Sequence, residues 1–249
     1  MMAQNATTSA PKHPTSLTLV QRVARDYTPN VGVPFGSSPA FQNVVAGSVG
    51  NVFANGDAIT GFAWQTTDLK GDKTGMLEAD FGLSYSPPPI NVTKKTTLSL
   101  VPGIQLWKYP TKGVVSTKDD WLLDGTAAAS YAGRTTVVAS LNAKVQANGR
   151  PGKSFYYATV KAEHTLVSDK NDGWRLVLNH GPEYAHSKGF FGFEGPLHVS
   201  YGADLEVRTK DAAISFGYRP QLGIGKTMGG TPIPNQHDWQ FQVRRTFRR

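Results

Sequence analysis

Between Leu197 and Gly225 the chain alternates almost without interruption. Leu197, Val199, Tyr201, Ala203, Leu205 and Val207 share one parity, and His198, Ser200, Gly202, Asp204, Glu206 and Arg208 the other. After Thr209-Lys210-Asp211 the rule resumes, with Ile214, Phe216, Tyr218, Leu222 and Ile224 set against Ser215, Gly217, Arg219, Gln221 and Gly223. Period-two alternation places successive side chains on opposite faces of a sheet. Both runs are about twice the usual ~5–6 residues of a soluble strand.

The same reading extended along the chain predicts twelve strands, over residues 16–27, 43–54, 58–69, 75–86, 94–108, 120–132, 134–147, 154–167, 173–185, 197–208, 212–226 and 238–248. The apolar parity is clearest at Leu77, Ala79, Phe81, Leu83 and Tyr85, at Val137, Ala139, Leu141, Ala143 and Val145, and at Trp239, Phe241, Val243 and Phe247. No segment shows the 3.6-residue period of an amphipathic helix. Residues 1–15 are polar and aperiodic and read as a flexible arm, leaving 16–249 as the folded domain. Trp107 falls on the polar parity, which suggests a bulge at Pro102-Gly103.

The connections alternate in length. Longer ones, such as residues 28–42, "YPTKGVVSTKD" and "HSKGFFGFEGP", alternate with short ones such as "TKDA", "NGD" and "AGR", and the Gly and Asn of the last two suit hairpin turns. One end of an up-and-down meander is therefore compact and the other elaborated. A Greek-key sandwich has no reason to produce that pattern. Strands of ~9–11 residues or more cross a bilayer when tilted, and hydrocarbon requires every backbone polar group to be paired, so the sheet must close. The expected fold is all-β, a transmembrane antiparallel up-and-down β-barrel of about twelve strands. Aromatics of outward parity sit beside both sets of connections, with Trp121, Tyr156, Tyr184 and Trp239 at the long ones and Tyr85, Tyr131, Trp174 and Phe247 at the short ones. These are the girdles such a barrel needs at its two interfaces.

Composition fits this picture. Hydrophobic residues make up 39% and mean hydropathy is −0.33; a barrel hides its apolar residues at every second position. Cysteine is absent, which removes disulfides and thiolate metal sites. The +8 charge raises nucleic acid or anionic lipid as partners. The basic residues are dispersed, however, and the terminal "RRTFRR" belongs to an alternating strand, so no nucleic acid is expected. A soluble β-sandwich with basic arms, of the coat or nucleic-acid-binding kind, is the competing class; against it, residues 1–15 hold only Lys12. The start "AQNATTSAPKHPTS" carries no secretory signal and reads as the beginning of a mature exported chain from which one has been removed.

On alternation, loop asymmetry and the terminal aromatic strand, residues 16–249 resemble the bacterial outer-membrane β-barrel class, porin-like in kind. The resemblance implies an outer-membrane location with lipid around the barrel. It also implies that Phe247 is read by the assembly machinery, although Arg248-Arg249 follow it. Architecture does not fix function. The polar parity collects Glu78, Asp80, Lys144, Lys161, Glu163, Arg175, Glu183, Asp204, Glu206, Arg208, Arg219 and Arg244, six acids and six bases. Of these, Lys144, Lys161, Glu163, Arg175, Asp204, Glu206, Arg208, Arg219 and Arg244 are the candidate pore-lining residues of a channel for small hydrophilic solutes. The alternative within the fold is a non-conducting barrel that binds a partner through the loop at 186–196, with "GFFGFEG" as its exposed apolar contact.

No enzyme, cofactor or metal is expected. His198-x-Ser200 offers a base and a nucleophile type, but both point inward and no orienting carboxylate is assignable. His180 and Glu183 fall on opposite faces, which does not suit a metal. "GIGKTMGG" lacks the spacing of a phosphate loop.

Overall fold

A computed structural model describes residues 13–25, 39–69, 76–110, 119–147, 153–169, 171, 173–190 and 193–249. Most of the expected arm, through residue 12, lies outside them. Strands are β1 (Thr15–Ala24), β2 (Ala40–Gly50), β3 (Ala58–Asp68), β4 (Met76–Ser86), β5 (Ile90–Asn91), β6 (Thr96–Lys108) and β7 (Asp120–Ala132). They continue with β8 (Thr136–Gln146), β9 (Ser154–Ser168), β10 (Trp174–Lys188), β11 (Phe193–Thr209), β12 (Ala212–Gly223), β13 (Lys226–Thr227) and β14 (Gln236–Arg248). The two-residue β5 and β13 extend the edges of β6 and β11. The other twelve pair antiparallel with their sequence neighbours, and β14 pairs with β1 from Ser16↔Arg248 to Ala24↔Gln240, closing the barrel. The start of β1 and the end of β14 meet at the short-turn end, where Thr15 and Arg249 exchange backbone hydrogen bonds.

The wall sorts its two faces as the alternation requires. Leu98, Leu100, Leu123, Leu141, Val160, Leu205, Val207, Ile214, Phe216, Phe241 and Val243 all stand exposed on the outer face. So many large apolar side chains facing outward exceed any patch tolerated on a water-soluble surface and match a lipid-facing belt. An eleven-residue strand such as β8, at about 3.3 Å per residue and a tilt of ~40°, rises roughly 28 Å, close to the ~25 Å apolar band of such barrels. The expected girdle residues Trp121, Tyr156, Tyr184, Trp239, Tyr131, Trp174 and Phe247 are exposed on this face.

Two leucines depart from expectation. The β10–β11 register slips between Ala185↔His198 and His186↔Pro196, so Leu197 is the extra residue of a β-bulge. The bulge turns Leu197 inward, where it is 1% exposed. It also lets the ladder continue to Phe193, with Pro196 taken up at the bulge. The β3–β4 register slips similarly at Leu77, which packs inside against Ala40 and Trp64. The bulge expected at Pro102-Gly103 is absent: β6 pairs with β7 in one register from Thr96↔Tyr131 to Trp107↔Asp120. Trp107 is therefore an inward residue by ordinary alternation.

Strand β2 ends at Gly50, four residues short of the expected boundary. Asn51 takes a φ of 54°, and Asp57 gathers the N–H groups of Val52, Phe53 and Ala54 on its carboxylate at 2.6–2.9 Å. Tyr85 donates its hydroxyl to the same carboxylate at 3.1 Å. Desolvation pushes the Asp57 carboxyl up, but these four donors outweigh it and hold it below the ordinary carboxylate value.

Candidate functional site

The inner face of the barrel is polar and organised into three groups of charges. The central group is built on Glu183 of β10, which is 2% exposed. It receives Lys161 of β9 at 2.7 Å and Arg219 of β12 at 3.1 Å. Tyr157 and Ser200 donate hydroxyls to it at 2.5 and 3.2 Å. Arg219 also reaches Asp204 at 3.6 Å and Asp238 at 4.0 Å. Gln240 completes Asp204 with a bond of 2.7 Å, and Arg22 of β1 lies within electrostatic reach of the group. Glycines make room: a Cβ on Gly202 would stand 2.8 Å from the Arg219 Nε, and one on Gly217 only 1.9 Å from Asp204.

Towards the short-turn end, Arg208 binds Glu163 at 3.0 Å and also Glu206, to which Arg244 adds a contact of 3.4 Å. The third group lies on β6, β7 and β8. Asp124 accepts from Lys144 at 3.2 Å, Gln105 at 2.6 Å and Asn142 at 2.8 Å. The indole of Trp107 donates to Gln105 at 2.8 Å, and Lys144 sits over its ring. Beyond it, Glu78 and Asp80 of β4 are buried and in hydrogen-bond contact with each other, and Asp120 lies within their field. Asp68, the last residue of β3, is buried on the same parity as Trp64 and Thr66.

All nine candidate pore-lining residues have inward parity. The structure joins eight of them in the ion pairs just described. Arg175 takes part in none of these; it is exposed at the short-turn rim, between Arg208 and Ser168 in register. The equal count of acids and bases needs correction. Inward parity also includes Asp68, Asp120, Asp124 and Asp238 among the acids and Arg22 and Arg248 among the bases, so among the described strand residues ten carboxylates face eight cations. The signal was present in the sequence: Trp121 and Leu123 outward fix Asp120 and Asp124 inward, and Trp239 does the same for Asp238.

Inside the long-loop end lies an apolar layer. Trp107, Tyr109, Leu122, Phe155, Ala185, Phe190, Leu197 and Ile233 form one buried cluster. Phe190 stacks edge-on with Trp107 at 5.7 Å and is fixed through the Ser187 hydroxyl, which accepts from the Phe190 N–H at 3.0 Å. This corrects the expectation that "GFFGFEG" is an exposed contact: Phe190 is 3% exposed, because it fills the barrel mouth. Phe191 and Gly192 lie outside the described residues.

His198 and Ser200 do point inward, and Glu183, which alternation placed on the same face without assigning it to this pair, stands beside them. Ser200 donates directly to Glu183, and neither ring nitrogen of His198 has a hydrogen-bond partner among the described residues. The relay from nucleophile through base to orienting acid is not assembled. His180 faces outward, bonded to Tyr201 at 2.5 Å, away from Glu183. Lys226-Thr227 of "GIGKTMGG" forms β13 rather than a phosphate loop.

No family model matches the sequence, and no curated protein resembles it closely enough to count as a match. Solved structures do share its fold. An outer-membrane channel from Pseudomonas putida F1 superposes with a TM-score of 0.57 at 12% identity, covering 99% of this chain and 100% of the other. NanC porin gives 0.56 at 10% identity over 92% and 98%. LpxR from Salmonella typhimurium gives 0.52 at 11% identity over 92% and 100%. Likeness at this level of identity fixes the fold, a closed twelve-strand antiparallel barrel shared with outer-membrane porins and channels.

Proposed function

We propose that the protein is a porin-like channel of a bacterial outer membrane, passing small hydrophilic solutes passively. The observation that carries this reading is the contrast between the two faces of one closed wall. The outer face is an apolar belt between aromatic girdles, and the inner face is a ladder of charges from Arg208 through Arg219 to Lys144. Twelve strands enclose more space than the side-chain-filled eight-stranded barrel and less than a sixteen-stranded porin. Lys144, Lys161, Glu163, Arg175, Asp204, Glu206, Arg208, Arg219 and Arg244 line the path, and charge rings are how such pores select. The fold shared with NanC porin and the Pseudomonas putida channel supports the reading. We place the short turns in the periplasm and the long loops outside the cell, with lipid around the belt.

The test is conductance of the purified protein in a planar bilayer. Discrete steps support the channel. A folded, heat-modifiable but electrically silent protein overturns it in favour of the second reading, a non-conducting barrel; the apolar layer from Trp107 to Ile233 across the mouth favours that outcome.

A further inference from the structure

The outer wall has one low sector. Leu98 and Leu100 of β6 pair with Ala129 and Ala127 of β7, and beyond these Leu141 of β8 and Val160 of β9 rise again. Between the two ridges lies an apolar groove of about 750 Å³. Pro87, Pro88 and Ile90 continue its β6-side wall towards the short-turn end. In the other direction the low ground reaches Gly125, where an added Cβ would meet no atom within 4 Å. From Tyr131 at the foot to Gly125 the strand rises about 15 Å, at ~3.3 Å per residue and ~40° tilt, which is half of a ~30 Å hydrocarbon core. The foot is cationic. Lys94 and Lys95 lie in the turn leading into β6 and Arg134 in the turn after β7, all three exposed. The Lys95 carbonyl accepts from the Ala132 N–H at 2.8 Å, which sets the two turns side by side. The Thr93 hydroxyl fixes the first turn, accepting from the N–H groups of Lys95 and Thr96 at 3.1 and 3.0 Å. Neither turn carries an Asp or Glu.

We propose that this groove holds one anionic glycerophospholipid of the leaflet at the short-turn end, with its phosphate among Lys94, Lys95 and Arg134 and one acyl chain along Ala129 and Ala127. The proposal rests on the barrel and its lipid belt and is independent of conduction. Two physical terms select this occupant. Hydrocarbon offers no hydrophobic drive for a chain to leave other chains, so shape decides, and a groove walled by leucines gives a chain more close contacts than flat wall does. The headgroup term is electrostatic, because basic residues just outside the hydrocarbon attract anionic headgroups. A zwitterionic lipid brings its own cation to the same three side chains and gains less. A second copy of the chain seated face to face here would bring the same cations against them and is disfavoured by like charge.

The experiment is native mass spectrometry of the full-length protein folded in detergent micelles, offered equal amounts of phosphatidylglycerol and phosphatidylcholine with the same acyl chains. The expected result is one retained lipid, with phosphatidylglycerol preferred by about tenfold or more. The triple variant Lys94→Gln/Lys95→Gln/Arg134→Gln, which leaves the Thr93 hydrogen bonds in place, should reduce that preference to about twofold or less. Ala129→Phe sets a ring on the floor of the groove and should remove the retained lipid. Ala139→Phe, its cross-strand neighbour on β8, gives the same readout should Ala129→Phe fail to fold. Equal retention of the two lipids by the wild type overturns the proposal. Retention that survives a phenylalanine in the groove of a folded variant also overturns it, as does a dimer that carries no lipid, which would assign this face to a second copy.

Discussion

Adjacent residues on β8 offer a decisive comparison of the two faces. Leu141 lies midway along Thr136–Gln146, faces outward and is 47% exposed. Ser140 beside it faces the lumen and shares a 2.8 Å hydroxyl bond with Thr159 of β9. An arginine at position 141 must place its guanidinium in hydrocarbon near the bilayer midplane, which costs about 2–4 kcal/mol on barrel walls. That is roughly a 30- to 700-fold fall in the folding equilibrium, at a factor of ten per ~1.4 kcal/mol. Ser140→Arg loses one neutral hydrogen bond, about 1 kcal/mol, and puts its charge on a face that already holds charges. The assay is reversible unfolding by guanidinium in phospholipid vesicles, followed by tryptophan fluorescence. Leu141→Arg should shift the midpoint by at least twice as much as Ser140→Arg, and Leu205→Arg on β11 should behave like Leu141→Arg. Equal damage at 140 and 141 would refute the lipid-facing assignment and indicate a wall buried on both sides.

The inward leucine and the turn carboxylate give two further expectations. Leu197→Ala removes a fully buried side chain from the cluster with Phe155 and Trp107 and should cost about 2–5 kcal/mol, whereas a lipid-facing leucine at that position would lose far less. A midpoint shift no larger than that of Leu205→Ala would contradict the bulge. The depressed Asp57 carboxyl contributes stability that is fully present above the unfolded value of ~3.9 and is lost as pH falls through its lower folded value. Asp57→Asn should therefore flatten the acid limb of the stability profile below about pH 4 and loosen the 51–57 turn, read by hydrogen exchange at Val52 and Phe53; an unchanged acid limb would remove Asp57 from that role.

Strand number, strand order and facing were legible because a barrel wall is a direct record of period-two alternation. Strand β7 was read to the residue and β8 within two, since Trp121, Leu123, Val137 and Leu141 leave no other parity. Bulges were not legible, because an extra residue leaves alternation intact on either side of the slip and shows itself only in the partner strand's register. Leu77 and Leu197 were therefore assigned to lipid when they pack inside. The end of β2 was missed for a different reason. Val52 and Phe53 have strand propensity, and the competing term, three backbone N–H groups captured by Asp57, is a local three-dimensional arrangement.

The interior charge was legible in principle, and why it was undercounted bears on how such chains should be read. Net charge sums loops, turns and both faces, yet only one parity of each strand meets a permeating ion. Among the described strand residues the inner face carries more carboxyl groups than basic ones, although the chain as a whole is basic. Acids fit the inner face in excess because each can be satisfied by several donors at once: Glu183 by Lys161, Arg219, Tyr157 and Ser200, and Asp124 by Lys144, Gln105 and Asn142. Lysine and arginine carry only donors, so each inward cation needs an acceptor, and those acceptors are the inward acids themselves. An inner face built of satisfied ion pairs therefore tends to spend its cations on shared carboxylates.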